Sequence, residues 1–235
     1  MTRVEMALAL AAALQAGSAV ALTPPAKGRI TVAVAITAHA NVIDFAGPMS
    51  VFQSVMVDSR GSTEEERIAF DVYTVSETRS PVTIAGGEFQ LVPKYTFDDA
   101  PIPKVLVVGA QEGGPKLRAW IKKVYDDPAN DVVMSVCTGA YKLAAAGLLD
   151  GKPATTHHQF YDSLAKMFPR VKVQKGLRFV QSDSKMFTAG GLTSGMDLAF
   201  HIVKLYFGDA VAEKTAAYME YQGAGWRNPS SAGNR

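Results

Sequence analysis

Three short aliphatic runs constrain the fold of this chain most: Ile30–Ile36 (ITVAVAI), Lys104–Val108 (KVLVV) and Asp131–Val136 (DVVMSV). None alternates apolar with polar residues, so a strand built from any of them must be covered on both faces. Amphipathic stretches lie between them. Val51, Phe52, Val55 and Met56 share one face of a helix expected to open at Gly47-Pro48, since proline suits the first helical turn. Leu117–Tyr125 puts Trp120, Ile121 and Val124 on a second buried stripe, and Thr138–Leu149 is small and apolar enough to pack beneath a sheet. Further strands are expected at Ile68–Val75, Phe179–Gln181 and Lys185–Thr188, with a hairpin joining Val82–Ile84 to Glu88–Val92. Helices are expected near Gln159–Met167, Ser194–Phe207 and Asp209–Tyr221. This alternation predicts one α/β domain over residues 30–222, a doubly wound and mostly parallel sheet sandwiched by helices. Asp58–Arg67 reads as a charged surface loop, and Gly223–Arg235 as a polar tail.

Residues 1–21 have another character. A charged start (Met1–Arg3), an apolar run (Met6–Ala16) and a terminal Ala-Val-Ala have the layout of a secretory signal peptide. Cleavage after Ala21 leaves 22–29 as a leader and a periplasmic or secreted domain, with no membrane attachment afterwards. Glu5 and Gln15 interrupt the pattern, and a retained amphipathic helix on a cytoplasmic protein is the other reading.

Lys and Arg total 24 against 22 Asp and Glu, a net charge of +2, which argues against a basic nucleic-acid platform. The chain has a single cysteine, so an internal disulfide framework and a multi-thiolate metal site are excluded. That cysteine, Cys137, follows an expected strand and precedes Thr138-Gly139-Ala140, where a helix is expected to begin. A helix N-terminus offers unpaired N–H groups and partial positive charge, which favour thiolate over thiol. Small residues at 139 and 140 permit the sharp turn of a nucleophile elbow. The competing reading is a buried cysteine acting as a small hydrophobe. Adjacent His157 and His158, without a third ligand at useful spacing, are a weak metal signal, and no metal or cofactor is expected.

Four segments taken together, Asp44–Pro48 (DFAGP), Val136–Ala140 (VCTGA), Ala154–His157 (ATTH) and Gly190–Asp197 (GGLTSGMD), resemble the ThiJ/PfpI superfamily in the same order. The resemblance spans about Ile30 to Tyr221 and is strongest to the isonitrile hydratase-like branch, with a second likeness to the ligand domain of AraC-type regulators. It implies a flavodoxin-like fold, usually a homodimer, with Cys137 as nucleophile and Asp44 as the carboxyl beside it. Thr138 follows that branch, whereas a protease-like branch has histidine at this step. Gly109-Ala110 stands where the family has Gly-Gly with a backbone N–H toward substrate, and alanine there puts the oxyanion role in question. His157 holds the TTH position and is expected to line the pocket. Gly190-Gly191 suit tight packing beside the cysteine turn, and His39 lies in the loop after the first strand.

The expected function is cysteine-dependent hydration of a small carbon electrophile, foremost an isonitrile going to an N-substituted formamide through a thioimidate on Cys137. Glyoxalase or deglycase-type chemistry on 2-oxoaldehydes uses the same nucleophile, and a redox-sensing or ligand-binding module without turnover is the alternative from another class.

Overall fold

The computed structural model describes residues 21–87 and 89–227. The segment read as an export signal therefore lies, but for Ala21, outside the described residues. The chain forms β1 (Ile30–Ala35), α1 (Val42–Gln53), α2 (Glu64–Arg67), β2 (Phe70–Ser76), β3 (Val82–Ile84), β4 (Phe89–Leu91) and β5 (Tyr95–Thr96). Next come β6 (Val105–Val108), α3 (Pro115–Asp126), β7 (Val132–Val136), α4 (Ala140–Ala145), β8 (Pro153–Ala154) and α5 (Tyr161–Met167). The last elements are β9 (Lys172–Val173), β10 (Phe179–Gln181), β11 (Met186–Ala189), α6 (Ser194–Phe207) and α7 (Asp209–Tyr218).

Seven strands make the central sheet in the order β10-β11-β7-β6-β1-β2-β5. All pairs are parallel except β10 with β11, where Phe179 faces Ala189 at the edge. The unbroken aliphatic runs occupy the middle, as their lack of alternation requires. Ile30, Val32 and Val34 of β1, with Val105, Val107, Val132 and Met134, pack against α1, α6 and α7. Ala33, Ala35, Leu106, Val108 and Val133 pack on the other face against α3, α4 and α5. The sheet is thus covered on both sides, a flavodoxin-like sandwich. Four neighbouring strands, β11, β7, β6 and β1, end along one edge, and their next residues build the site.

Several elements differ from the sequence expectation. α1 opens at Val42, not at Gly47-Pro48, and carries Pro48 in its interior. Asn41 is extended and its N–H bonds to the Ala110 carbonyl (2.8 Å), which anchors the helix start to the β6 exit. Pro48 gives up the bond its N–H would make to the Asp44 carbonyl. The charged loop at Asp58–Arg67 contains a 3-10 turn at Asp58–Arg60 and then α2, held by a Thr63–Glu66 capping box. The helix after Cys137 stops at Ala145, four residues short, because Gly147 turns left-handed (φ 75°).

The tail is not all polar surface. Trp226 is fully buried against Phe200 and the α6 face, so the tail contributes one large side chain to the core while Ala224 and Arg227 stay exposed. Charged and glycine neighbours masked this single large side chain in the sequence. Trp226→Ala is expected to cost about 3–5 kcal/mol, read from urea unfolding with unchanged slope.

Candidate active site

β7 delivers Cys137 into a one-residue reversal. Its φ of 58° lies in the left-handed region, which costs a non-glycine residue roughly 1–2 kcal/mol. The turn is held from two sides. Cys137 N–H donates to the Gly190 carbonyl (2.9 Å), and Thr156 Oγ1 donates to the Cys137 carbonyl (2.8 Å). Residues Cys137–Gly139 then form one 3-10 turn before α4. Gly139 is obligatory: a Cβ there would lie 2.1 Å from the Val108 carbonyl oxygen at the end of β6.

Asp44 comes from the first turn of α1 and has no exposed surface. Its Oδ2 accepts the Ala110 N–H (3.0 Å). Gly109 permits this approach, since a Cβ on it would sit 2.9 Å from Asp44 Cβ. Ala110 has an ordinary negative φ, so alanine is unstrained there. The N–H expected to face substrate is therefore given to Asp44. Oδ1 has no partner in ordinary hydrogen-bond geometry, although the Cys137 thiol and the Leu192 N–H both face the carboxyl.

Leu192 is a residue the sequence reading passed over. It too is left-handed (φ 53°), and its N–H and that of Thr138 both face the Cys137 sulfur. A non-glycine held left-handed has no sequence signature of its own, though the flanking Gly190-Gly191 marks the loop as tight. His157 packs its ring on Gly191, where a Cβ would meet His157 Cδ2 at 2.2 Å, and lies against the tilted His158 ring at 4.4 Å between centroids. Its Nδ1 accepts the Gln159 N–H at 3.3 Å. The ATTH segment thus walls the cysteine turn through Thr156, with His157 against the Gly191 side. His39 is engaged with Ala85 and Glu112 beside the β3–β4 hairpin. Among the described residues no cluster of three or more His, Cys, Asp or Glu side chains is placed to hold a metal ion, and no helix is long and apolar enough to cross a membrane.

The model of the DJ-1/PfpI family matches residues 30–205, most of the chain and all of these site segments. The chain belongs to the DJ-1/PfpI family. It is 34% identical to isonitrile hydratase of Pseudomonas putida over 154 residues, which cover 64% of this chain and 65% of that enzyme. It is 38% identical to the HTH-type transcriptional regulator GbdR of Pseudomonas aeruginosa over 69 residues, 29% of this chain and only 18% of the regulator. The chain thus spans less than two thirds of either relative's length. A THiJ/PfpI family protein from Pseudomonas syringae shares the fold with a TM-score of 0.66 at 27% identity, covering 89% of this chain and 82% of that one.

In this DJ-1/PfpI domain the thiol is not held as a thiolate, contrary to the expectation from its helix-start position. Burial first, and then the Asp44 charge, push Cys137 up to about 12, only partly opposed by the Thr138 and Leu192 N–H groups. α4 has six residues behind a 3-10 turn, too short for a strong N-terminal field. Burial likewise raises Asp44 to about 6, against the lowering from the Ala110 N–H, the Cys137 thiol and the Leu192 N–H. Asp44 is thus the more acidic member of the pair, and sulfur the one that holds its proton more tightly. That arrangement suits an attack in which sulfur loses its proton to Asp44 as the new bond forms.

The stability consequence has a definite sign. Between pH 3.8 and about 6 the folded chain keeps a proton on Asp44 that the unfolded chain has released, so this group's contribution worsens as pH rises and is fully unfavourable above 6. Asp44→Asn is expected to stabilise the fold at pH 7–8 by up to about 3 kcal/mol, with the gain disappearing below pH 4. Denaturant midpoints across that range check it. Iodoacetamide labelling of Cys137 is expected to keep accelerating beyond pH 9, where a free thiol has levelled off.

Proposed function

We propose that this chain hydrates small carbon electrophiles, foremost isonitriles, with Cys137 as nucleophile and Asp44 as proton carrier. The observation that carries the reading is the burial of Cys137 and Asp44 side by side at the strand exits, the thiol facing the carboxyl. The similarity to an isonitrile hydratase supports the choice of substrate class. Sulfur attacks the terminal isonitrile carbon while its proton passes to Asp44 and on to that carbon, giving a thioimidate, Cys–S–CH=N–R. Asp44 then takes a proton from water as the oxygen bonds to the same carbon, and returns it to nitrogen. The hydroxyl proton then passes through Asp44 to sulfur as the C–S bond breaks, which releases the N-substituted formamide and restores the thiol, so the sum is one isonitrile plus one water. The Thr138 and Leu192 N–H groups steady the sulfur whenever it carries charge.

An uncharged substrate fits a pair that already holds the site's negative charge. Export through the N-terminal segment and assembly as a homodimer belong to the same proposal, carried by sequence and family resemblance.

Purified protein is expected to convert an alkyl isonitrile to the formamide, followed by NMR of the formyl proton. Cys137→Ala is expected to abolish turnover and Asp44→Asn to reduce it by about 100-fold or more. The rate is expected to rise with pH through about 6, as Asp44 ionises, and to show no second limb near 8.5. Turnover that survives Cys137→Ala overturns the nucleophile assignment. Inert isonitriles with conversion of methylglyoxal to lactate favour the 2-oxoaldehyde reading instead.

A further inference from the structure

Arg178 stands immediately before β10, yet it reaches the Cys137 turn by two routes. Its carbonyl accepts the Gly190 N–H (2.9 Å), and the Gly190 carbonyl in turn accepts the Cys137 N–H (2.9 Å). Its guanidinium donates through Nη2 to Thr193 Oγ1 (3.1 Å), and through Nε to Asp197 Oδ2 (2.6 Å), with Nη2 also against that oxygen. Asp197 lies in the first turn of α6 and is 1% exposed, while the arginine side chain keeps about a quarter of its surface (26%). Tyr221 donates its hydroxyl to the other oxygen, Asp197 Oδ1 (3.0 Å), and Gly225 packs so close that a Cβ would meet Oδ2 at 2.5 Å. The ion pair is therefore half-buried, with two guanidinium nitrogens against one carboxylate oxygen, and covered by the C-terminal segment.

Residues 190–193 are clamped at both ends by this one arginine. Between the clamps sits Leu192 in its left-handed conformation, its own carbonyl accepting the Gly195 N–H (3.0 Å). An apolar side chain gains nothing from that conformation, so the surroundings must impose it.

We propose that Arg178, with Asp197 and Thr193, forms a positioning latch that holds Leu192 left-handed so that its N–H faces the Cys137 sulfur and the Asp44 carboxylate. None of the three touches the reacting atoms. The latch acts at the same site as the hydration reading, but it is defined by the state of Asp44 and is tested without any substrate.

The test uses the full chain with carbon-13-labelled aspartate, and follows the Asp44 carboxyl signal through pH 4–9. The signal is assigned by its loss in Asp44→Asn. Cys137 is the titratable side chain that faces Asp44, and its thiol stays protonated over this range. Thr193→Val removes one hydrogen bond at an exposed residue and leaves the ion pair. Arg178→Lys keeps the charge and loses the fork. Each is expected to raise the Asp44 titration by about half a pH unit, and the two together by about one, because the carboxylate loses a backbone donor. Thermal midpoints of the single variants are expected to stay within a few degrees of the parent. An Asp44 titration unchanged in both variants overturns the latch, whatever the protein does to isonitriles. A raised titration upholds it even if isonitriles prove inert.

Discussion

The Val108 carbonyl oxygen occupies the place where any side chain on residue 139 would go, and the site is assembled around that contact. With glycine at 139, the turn after β7 can lie against the end of β6. A turn that tight leaves Cys137 in the left-handed region and holds it between two strand exits. The same tolerance at Gly109 lets the first turn of α1 approach, so that Asp44 meets the Ala110 N–H and the cysteine together. The parallel sheet contributes the rest. Because β11, β7, β6 and β1 are neighbours running the same way, four chain segments far apart in sequence converge on a few ångströms of one edge.

That assembly is held against local preference. Two non-glycine residues, Cys137 and Leu192, carry left-handed backbones, and a carboxylate sits beyond reach of solvent beside a thiol. Each is worth on the order of 1–3 kcal/mol against the fold. The sheet can bear them because both of its faces are covered, with fully buried aliphatic residues on β1, β6 and β7. Both left-handed residues of the site lie at the edge where the strands stop, away from the packed interior.

Much of the architecture was legible from residue pattern. Uninterrupted aliphatic runs announced two-sided burial, and β10 begins and ends where the chain alone placed it, at Phe179–Gln181. The two-residue strands β5 and β9 escaped notice because so short a segment has no periodicity to detect. α1 was started five residues late because Pro48 looks like an opening signal, whereas the actual start is fixed by the Asn41–Ala110 bond across the sheet edge, a tertiary fact. At the site, Cys137 and Asp44 were readable, and the structure brings both together. The ionisation of the thiol is not legible in the sequence. Position at a helix start favours thiolate, but burial and the neighbouring carboxylate outweigh six residues of α4. Leu192 and Arg178 act through backbone direction and through a fork to Asp197, and neither leaves a mark in composition or spacing.

The energetic cost of the Cys137–Asp44 pair bears on the choice between turnover and mere binding. A pocket that only captures a ligand gains little from a buried carboxylate raised to about 6, since an asparagine would also accept the Ala110 N–H, by a weaker bond, without the cost of a buried charge. It also gains nothing from a thiol whose proton is directed at that carboxylate. Both features become useful when a proton must leave sulfur during bond formation and be handed on afterwards, which needs a base that titrates near the working pH and lies within reach of the nucleophile. A destabilising carboxylate beside the thiol is the feature on which the proposed hydration rests, and the Gly190–Thr193 loop turns the Leu192 N–H toward the same two side chains.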